Sequence, residues 1–312
     1  MRQTERGLLL LCCPLGDPLS GFLSLPQARE LSKRARAAGL GQEDPFRDVT
    51  PRDVQRLGYS AYEAQHIVTL LSRERLLDGY LLAAEKAGIT VITRLDERFP
   101  RRLRDQLGGK CPAALFCRGD VSLLRSRCVS LVGSRQLLEP GRRFAAQAGI
   151  LAAREGFSIC SGDAMGADRT AQEACVSNGG RAVVFPATEL VNCPLRKDVL
   201  YAAEDGFELG FSAHRALSRN RLIHAMGEKT LVAQTGFGKG GTWSGSLDNL
   251  QHEYSPLFVF DDGSEGARAL CMRGATAVHK LESISGLTPA QLRLDMGSCE
   301  RDPSAAREDT GA

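Results

Sequence analysis

An α/β fold is what this 312-residue sequence predicts: a mostly parallel sheet with helices on both faces, preceded by a small, mainly helical N-terminal domain. Three observations carry that expectation. From residue 114 onward, short apolar runs alternate with longer amphipathic stretches. Glycine-rich junctions fall where the apolar runs end. Before residue 110 the apolar residues recur at helical spacing instead. The expected division is 1–110 for the helical domain, 111–284 for the core, and 285–312 for a mobile tail with little apolar periodicity.

Residues 26–38 read as an amphipathic helix, with Ala28, Leu31 and Ala35 about one turn apart. Thr50 followed by Pro51 is an N-cap with proline at the first helical position, and that helix runs through Val54 and Leu57 to a break at Gly58. Ser60 caps the next helix, which carries Ile67, Leu70 and Leu71. A further helix over 78–87 is closed by Gly88, and 89–92 is a short strand. In the core, strands are expected at 114–117, 128–132, 158–160, 182–185, 230–233 and 257–260, and helices at 140–155, 167–177, 197–204 and 219–226. Strand, helix, strand in this order makes parallel pairs, and folds of this kind bind ligands at the carboxyl ends of their strands.

Composition narrows the function less than it narrows the fold. Hydrophobic residues at 43% and charged residues at 25% suit a soluble globular protein, and a net charge of +3 does not by itself point to nucleic acid. The distribution says more: between Arg94 and Arg143 there are 12 Lys/Arg against 5 Asp/Glu. Ten scattered cysteines without a CxxC pair read as reduced thiols in a cytoplasmic protein. The apolar run 8–13 is too short to span a bilayer and lacks a small-residue cleavage site. The five histidines are isolated, and no metal-ligand spacing, HExxH or GxSxG occurs. No cofactor, metal or catalytic residue is expected.

Three junctions carry the chemistry. In the first, the strand Ser130-Leu131-Val132 ends in Gly133, Ser134 and Arg135. Glycine admits a phosphate close to the backbone, serine offers a hydroxyl, and arginine a planar fork matched to phosphate. The second, Ser161 to Asp168, holds Gly162 and Gly166 before a helix whose first amides suit an anion; Asp168 fits the positive end of that helix dipole. The third, Ser218-Arg219-Asn220-Arg221, opens a helix with two cations, where the dipole opposes them. That placement implies an anionic partner or an internal carboxylate. A glycine-rich stretch, 236–245, then follows a strand, with Lys239 suited to a phosphate and Trp243 either a flat face for a base or a buried anchor.

In this order VGSR, SGxAxGxD and RNR resemble the DNA-processing protein DprA (Smf) family. Upstream, Phe99-Pro100 with Leu103, and Pro112 through Gly119, are similar to stretches leading into that family's core; downstream, Gly179-Gly180-Arg181-Ala182-Val183-Val184 is similar to another. The resemblance spans roughly 7–260. It implies a Rossmann-like core that binds single-stranded DNA, a homodimer, roles in natural transformation and recombination with loading of the RecA recombinase, and no catalytic reaction. Carried over by position, Ser134 and Arg135 hold phosphate, Gly162 and Gly166 shape the neighbouring loop, Arg219, Asn220 and Arg221 form the RNR motif, and Arg196 or Lys197 supplies a basic DNA contact. The sequence departs from the family at Gln172, where histidine is usual, at Gln234, where the family's strand end is acidic, and in having no winged helix after the core.

The alternative is an enzyme, a nucleotide phosphoribohydrolase of the lysine-decarboxylase-like class, because Gly240-Gly241-Thr242 is similar to part of its PGGxGTxxE motif. No proline precedes these glycines, and Gly245 stands where the catalytic glutamate belongs, so the residues favour binding. A P-loop is excluded, since Gly238-Lys239 is followed by glycine and preceded five residues earlier by Ala233.

Overall fold

A computed structural model describes residues 1–17, 21–40 and 49–289. The apolar runs become nine strands: β1 (Thr90–Thr93), β2 (Ala114–Arg118), β3 (Cys128–Val132), β4 (Ser158–Ser161), β5 (Arg181–Val184), β6 (Val199–Ala203), β7 (Thr230–Val232), β8 (Leu257–Phe260) and β9 (Thr276–Val278). They form one sheet in the order β1-β2-β6-β5-β4-β3-β7-β8-β9. The pairs β1–β2 and β2–β6 are antiparallel and all others are parallel. The strands buried on both sides, such as β3 with all five residues buried, read as nearly continuous apolar runs for that reason, broken in β3 only by Ser130.

The helices are α1 (Gln3–Cys12), α2 (Leu25–Ala37), α3 (Pro51–Arg56), α4 (Ala61–Leu71), α5 (Glu74–Lys86), α6 (Arg101–Leu107), α7 (Glu139–Arg154), α8 (Ala167–Ser177), α9 (Ala213–Ser218), α10 (Asn220–Met226), α11 (Gly241–His252) and α12 (Glu265–Cys271). The predicted caps form. Thr50 and Ser60 each accept the N3 backbone N–H, and Asp53 and Glu63 reach back to the cap N–H.

One expectation differs from the structure. Residues 197–204 do not form a helix: β6 occupies most of them, and Val199 through Ala203 are all buried. A helix there would bury one stripe, whereas a continuous apolar run fits an interior strand. The run 8–13 lies mostly in α1, whose Leu9, Leu10 and Leu11 are buried. The helix expected over 219–226 forms as α10, starting one residue later, and Arg219 joins it to α9 with helical φ and ψ. The core closes at its expected end: Ile284 is fully buried, and Glu155 accepts the N–H groups of Ile284 and Ser285. The expectation of mobility beyond residue 289 lies outside the described residues.

The sheet order positions the site. From β3 the chain steps through β4 and β5 to β6 on one side, then returns to place β7 against the other edge of β3. Val129 and Leu131 pack with Phe144, Ala145 and Ala148 of α7, while Val132 and Val232 belong to the core that holds Ile223 of α10 and Trp243 of α11. The connections that follow β3 and β7 therefore part to opposite faces. A crevice at their carboxyl ends is the geometric result.

Candidate nucleic-acid interface

The crevice is a cleft of about 760 Å³. The loops after β3 and β7 form two of its walls, and the α9–α10 junction and the first turn of α11 form the others. Gln234 ties the two loops together. Its carbonyl accepts the Ser134 N–H at 2.9 Å, and its side-chain oxygen accepts the Leu138 N–H at 2.9 Å. The Ser134 hydroxyl accepts the Gln136 N–H at 3.2 Å, so this serine shapes the loop while facing the cleft. Arg135 is left exposed, its guanidinium 6.0 Å from the ring of Phe211, with no hydrogen bond or ion pair among the described residues.

The second junction holds its own anion. Asp168, in the first turn of α8, is buried and accepts the N–H groups of Gly162 at 2.9 Å and Ala164 at 3.3 Å. Burial pushes its carboxyl up to about 6, against the opposing pull of the Arg219 guanidinium and those two amides. At the start of α8 itself the Ala167 N–H donates to the Ser134 carbonyl at 3.2 Å and the Arg169 N–H to the Ala164 carbonyl at 3.3 Å, so these amides too serve the protein's own backbone, against the reading of this helix start as an anion site. The glycines serve the protein's own backbone. A Cβ on Gly162 would lie 1.5 Å from Arg219 Nη1, and one on Gly166 would lie 2.4 Å from the Ser134 carbonyl oxygen. Gly162 is itself buried, so it supports Arg219 and presents no group of its own to a ligand.

The third junction resolves into two different arginines. Arg219 donates from Nη2 to the Gly162 carbonyl at 2.9 Å, lines the cleft, and leaves its buried Nε without a partner. Burial lowers its pKa, partly offset by the Asp168 charge. Arg221 turns inward. It donates to both carboxylate oxygens of Glu204, at 2.8 and 2.5 Å, and to the Ser218 carbonyl at 2.6 Å. Its expected DNA contact is corrected: the partner is the internal carboxylate. Arg219 itself stands between two helix ends, the C-cap of α9 and the N-cap of α10, whose dipoles act on its charge in opposite senses. Asn220 lines the cleft and donates to the Gly241 carbonyl at 3.2 Å.

Lys239 is exposed on the cleft wall. Trp243 is only 7% exposed; Phe237 meets it edge-on at 5.2 Å, and the Arg273 guanidinium lies 5.4 Å from its ring centroid. It is a buried anchor for α11, and the expectation of a base stacking on it is corrected. The segment 236–245 is a loop only to Gly240, since α11 begins at Gly241. Arg196 and Lys197 are exposed just before β6, at the amino end of that strand, and do not line the cleft. Sequence reasoning missed two exposed aromatics: Phe211, 63% exposed and lining the cleft, and Phe237, 46% exposed and packed on Trp243. The available signal was phenylalanine beside glycine in two loops, Gly210-Phe211 and Gly236-Phe237. It also missed Gln234 as the tie and His224 in the cleft.

Comparison with known proteins agrees with this geometry. The sequence pattern of the family described as DNA recombination-mediator protein A matches residues 90–288. The DNA processing protein DprA of Mycobacterium tuberculosis (strain CDC 1551 / Oshkosh) is 25% identical over 247 residues, 71% of this chain and 63% of that protein. Protein Smf of Escherichia coli (strain K12) is 28% identical over 245 residues, 74% of this chain and 64% of that protein. The chain thus spans just under two thirds of the length of these relatives. Among solved structures, DNA processing protein A of Streptococcus pneumoniae superposes with a TM-score of 0.62 at 20% identity, covering 81% of this chain and 89% of that one. DNA processing protein A of Helicobacter pylori, described for its unique single-stranded DNA binding mode, gives a TM-score of 0.52 at 22% identity, covering 62% and 92%. At these identities the superpositions establish the shared α/β fold, and the pattern match, covering well over half of the chain, establishes that it belongs to the DNA recombination-mediator protein A family.

Proposed function

We propose that the cleft binds single-stranded DNA and that the protein acts without catalysis in DNA processing, in transformation or recombination. The observation that carries this reading is the pairing of an uncommitted cation with an exposed aromatic at the mouth of the cleft: Arg135 beside Phe211. A phosphate fits the first and a base the second, spaced as along one strand. A stacked duplex hides its base faces, so the same pair favours a single strand. The family relationship supports the same reading, as does the binding mode described for the Helicobacter pylori protein. A cytoplasmic site of action, a homodimer and contact with a RecA recombinase belong to this proposal as well. Among the described residues no helix is long and apolar enough to cross a membrane.

The test is a titration with oligothymidine and with duplex of equal length. Single strands are expected to bind more tightly. Arg135→Ala is expected to cost about 1.5–3 kcal/mol, roughly one to two decades in affinity, with an unchanged melting temperature. Phe211→Ala is expected to cost about 1–3 kcal/mol, also without loss of fold. Equal affinity for duplex, or normal binding by both variants, overturns the assignment of the cleft.

A further inference from the structure

The inner end of the cleft differs from its mouth. There α11, twelve residues long, opens after Gly240 without a side-chain cap, which leaves its first N–H groups without a capping partner, and its first turn lines the cleft. Beside them lies His224, 1% exposed and lining the cleft. Its Nδ1 is 3.3 Å from the Thr230 hydroxyl, and its Nε2 has no hydrogen-bond partner among the described residues. A Cβ on Gly245 would come within 3.2 Å of His224 Nε2 and 3.1 Å of Asn220 Nδ2, which sets both nitrogens against the second turn of α11, one turn in from its open start. Burial lowers the histidine to about 4, so the ring is neutral at ordinary pH and donates from one nitrogen only. In the tautomer protonated at Nε2, the ring accepts the Thr230 hydroxyl at Nδ1 and turns its own N–H toward the cleft.

Resting on the assignment of the cleft to DNA, the geometry points to a subsite at this inner end for the phosphate monoester of a nucleotide, carried by a strand terminus or by a free nucleotide. Backbone amides at a helix start, a neutral imidazole N–H and the Asn220 amide form a donor set for phosphate oxygens, and Lys239 adds charge at the rim. The floor is closed by Val132, Ile223, His224 and Trp243, all buried. A chain that reaches the floor cannot continue past it, so the group bound there is terminal. A monoester also carries more negative charge than the diester inside a strand, and the helix dipole rewards that difference.

The experiment compares oligothymidines of one length bearing a 5′-phosphate, a 3′-phosphate or only hydroxyl ends, with thymidine monophosphate and thymidine as competitors. One phosphorylated end is expected to bind at least about tenfold more tightly than the hydroxyl-ended strand, and the monophosphate to compete where thymidine does not. Ser244→Asp places a carboxylate on an exposed residue of the first turn of α11, where the dipole favours it, so the fold is retained. An unchanged melt with the end preference erased supports the subsite. Equal binding of all three strands with no competition by the monophosphate overturns it and leaves the DNA assignment standing. Competition-grade binding of the monophosphate with no strand bound supports the subsite for free nucleotides and overturns the DNA assignment. No binding of any of these probes overturns both.

Discussion

Gly162→Ala tests the second and third junctions together. The new methyl would sit 1.5 Å from Arg219 Nη1 and 2.1 Å from its Cζ, so the guanidinium must leave. Its departure removes the 2.9 Å bond to the Gly162 carbonyl and uncovers buried Asp168. Overpacking costs about 1–3 kcal/mol, and a hydrogen bond to a charged group about 1.5–3. A loss near 3–5 kcal/mol follows, over 1 M in urea midpoint if m is about 3 kcal/mol/M. The assay is urea unfolding of the wild type, Gly162→Ala, Arg219→Ala and the double variant. Once Arg219 is alanine the methyl has room, so the double variant should be no less stable than Arg219→Ala alone. Additive losses would refute the claim that Gly162 exists to seat this guanidinium.

Two further outcomes follow from buried charge and buried imidazole. Arg221→Ala leaves the Glu204 carboxylate alone in the interior, and breaking such a pair costs about 3–5 kcal/mol; its melting temperature should fall, and a variant that melts normally but loses DNA would restore Arg221 as a contact residue. His224 sits at about 4 in the fold against 6.5 when exposed, so the unfolded chain takes up the proton first and stability is lost as pH falls from 6.5 toward 4. His224→Gln lacks that loss, so its deficit relative to wild type at pH 7 should shrink by roughly 2 kcal/mol at pH 4.5; a deficit independent of pH would mean that the imidazole is protonated inside the protein.

The strand-rich core was legible because its strands are buried on both faces: 128–132, 230–233 and 257–260 are mostly apolar, interrupted only by Ser130 and Thr230, and each became a strand. The same logic should have placed β6, but Lys197 and Glu204 flank Val199-Leu200-Tyr201-Ala202-Ala203 and lent it a helical pattern. The site was legible as loops and not as contacts. Gly133, Ser134, Arg135, Arg219, Asn220, Lys239 and Trp243 do meet in one cleft. Nothing in their spacing distinguishes Arg135, which faces solvent, from Arg221, which faces Glu204 from 17 residues away in sequence. Side-chain direction is set by tertiary packing, and only short-range partners such as Thr50 with Asp53 can be read along the chain. Phe211 and Phe237 escaped because apolar residues are expected inside.

The commitments of the arginines set how strongly DNA binding should depend on salt. Six cations were expected to contact DNA: Arg135, Arg196, Lys197, Arg219, Arg221 and Lys239. Each phosphate neutralised on a single strand contributes about −0.7 to the slope of log affinity against log salt, so six would give about −4. In the structure Arg221 is spent on Glu204, and neighbouring Arg215 on Asp205 at 2.6 Å. Arg219 is held on the Gly162 carbonyl with Asp168 offsetting its charge. Arg196 and Lys197 lie outside the cleft. Arg135 and Lys239 remain, exposed and without an ion pair among the described residues, and two phosphates give a slope of about −1.4. A titration of one short oligothymidine across salt measures this directly. A slope near −2.8 would bring Arg196 and Lys197 into the path of the strand. A slope near −4 would require the internal pairs to open on binding, and would refute the separation of structural from DNA-binding arginines.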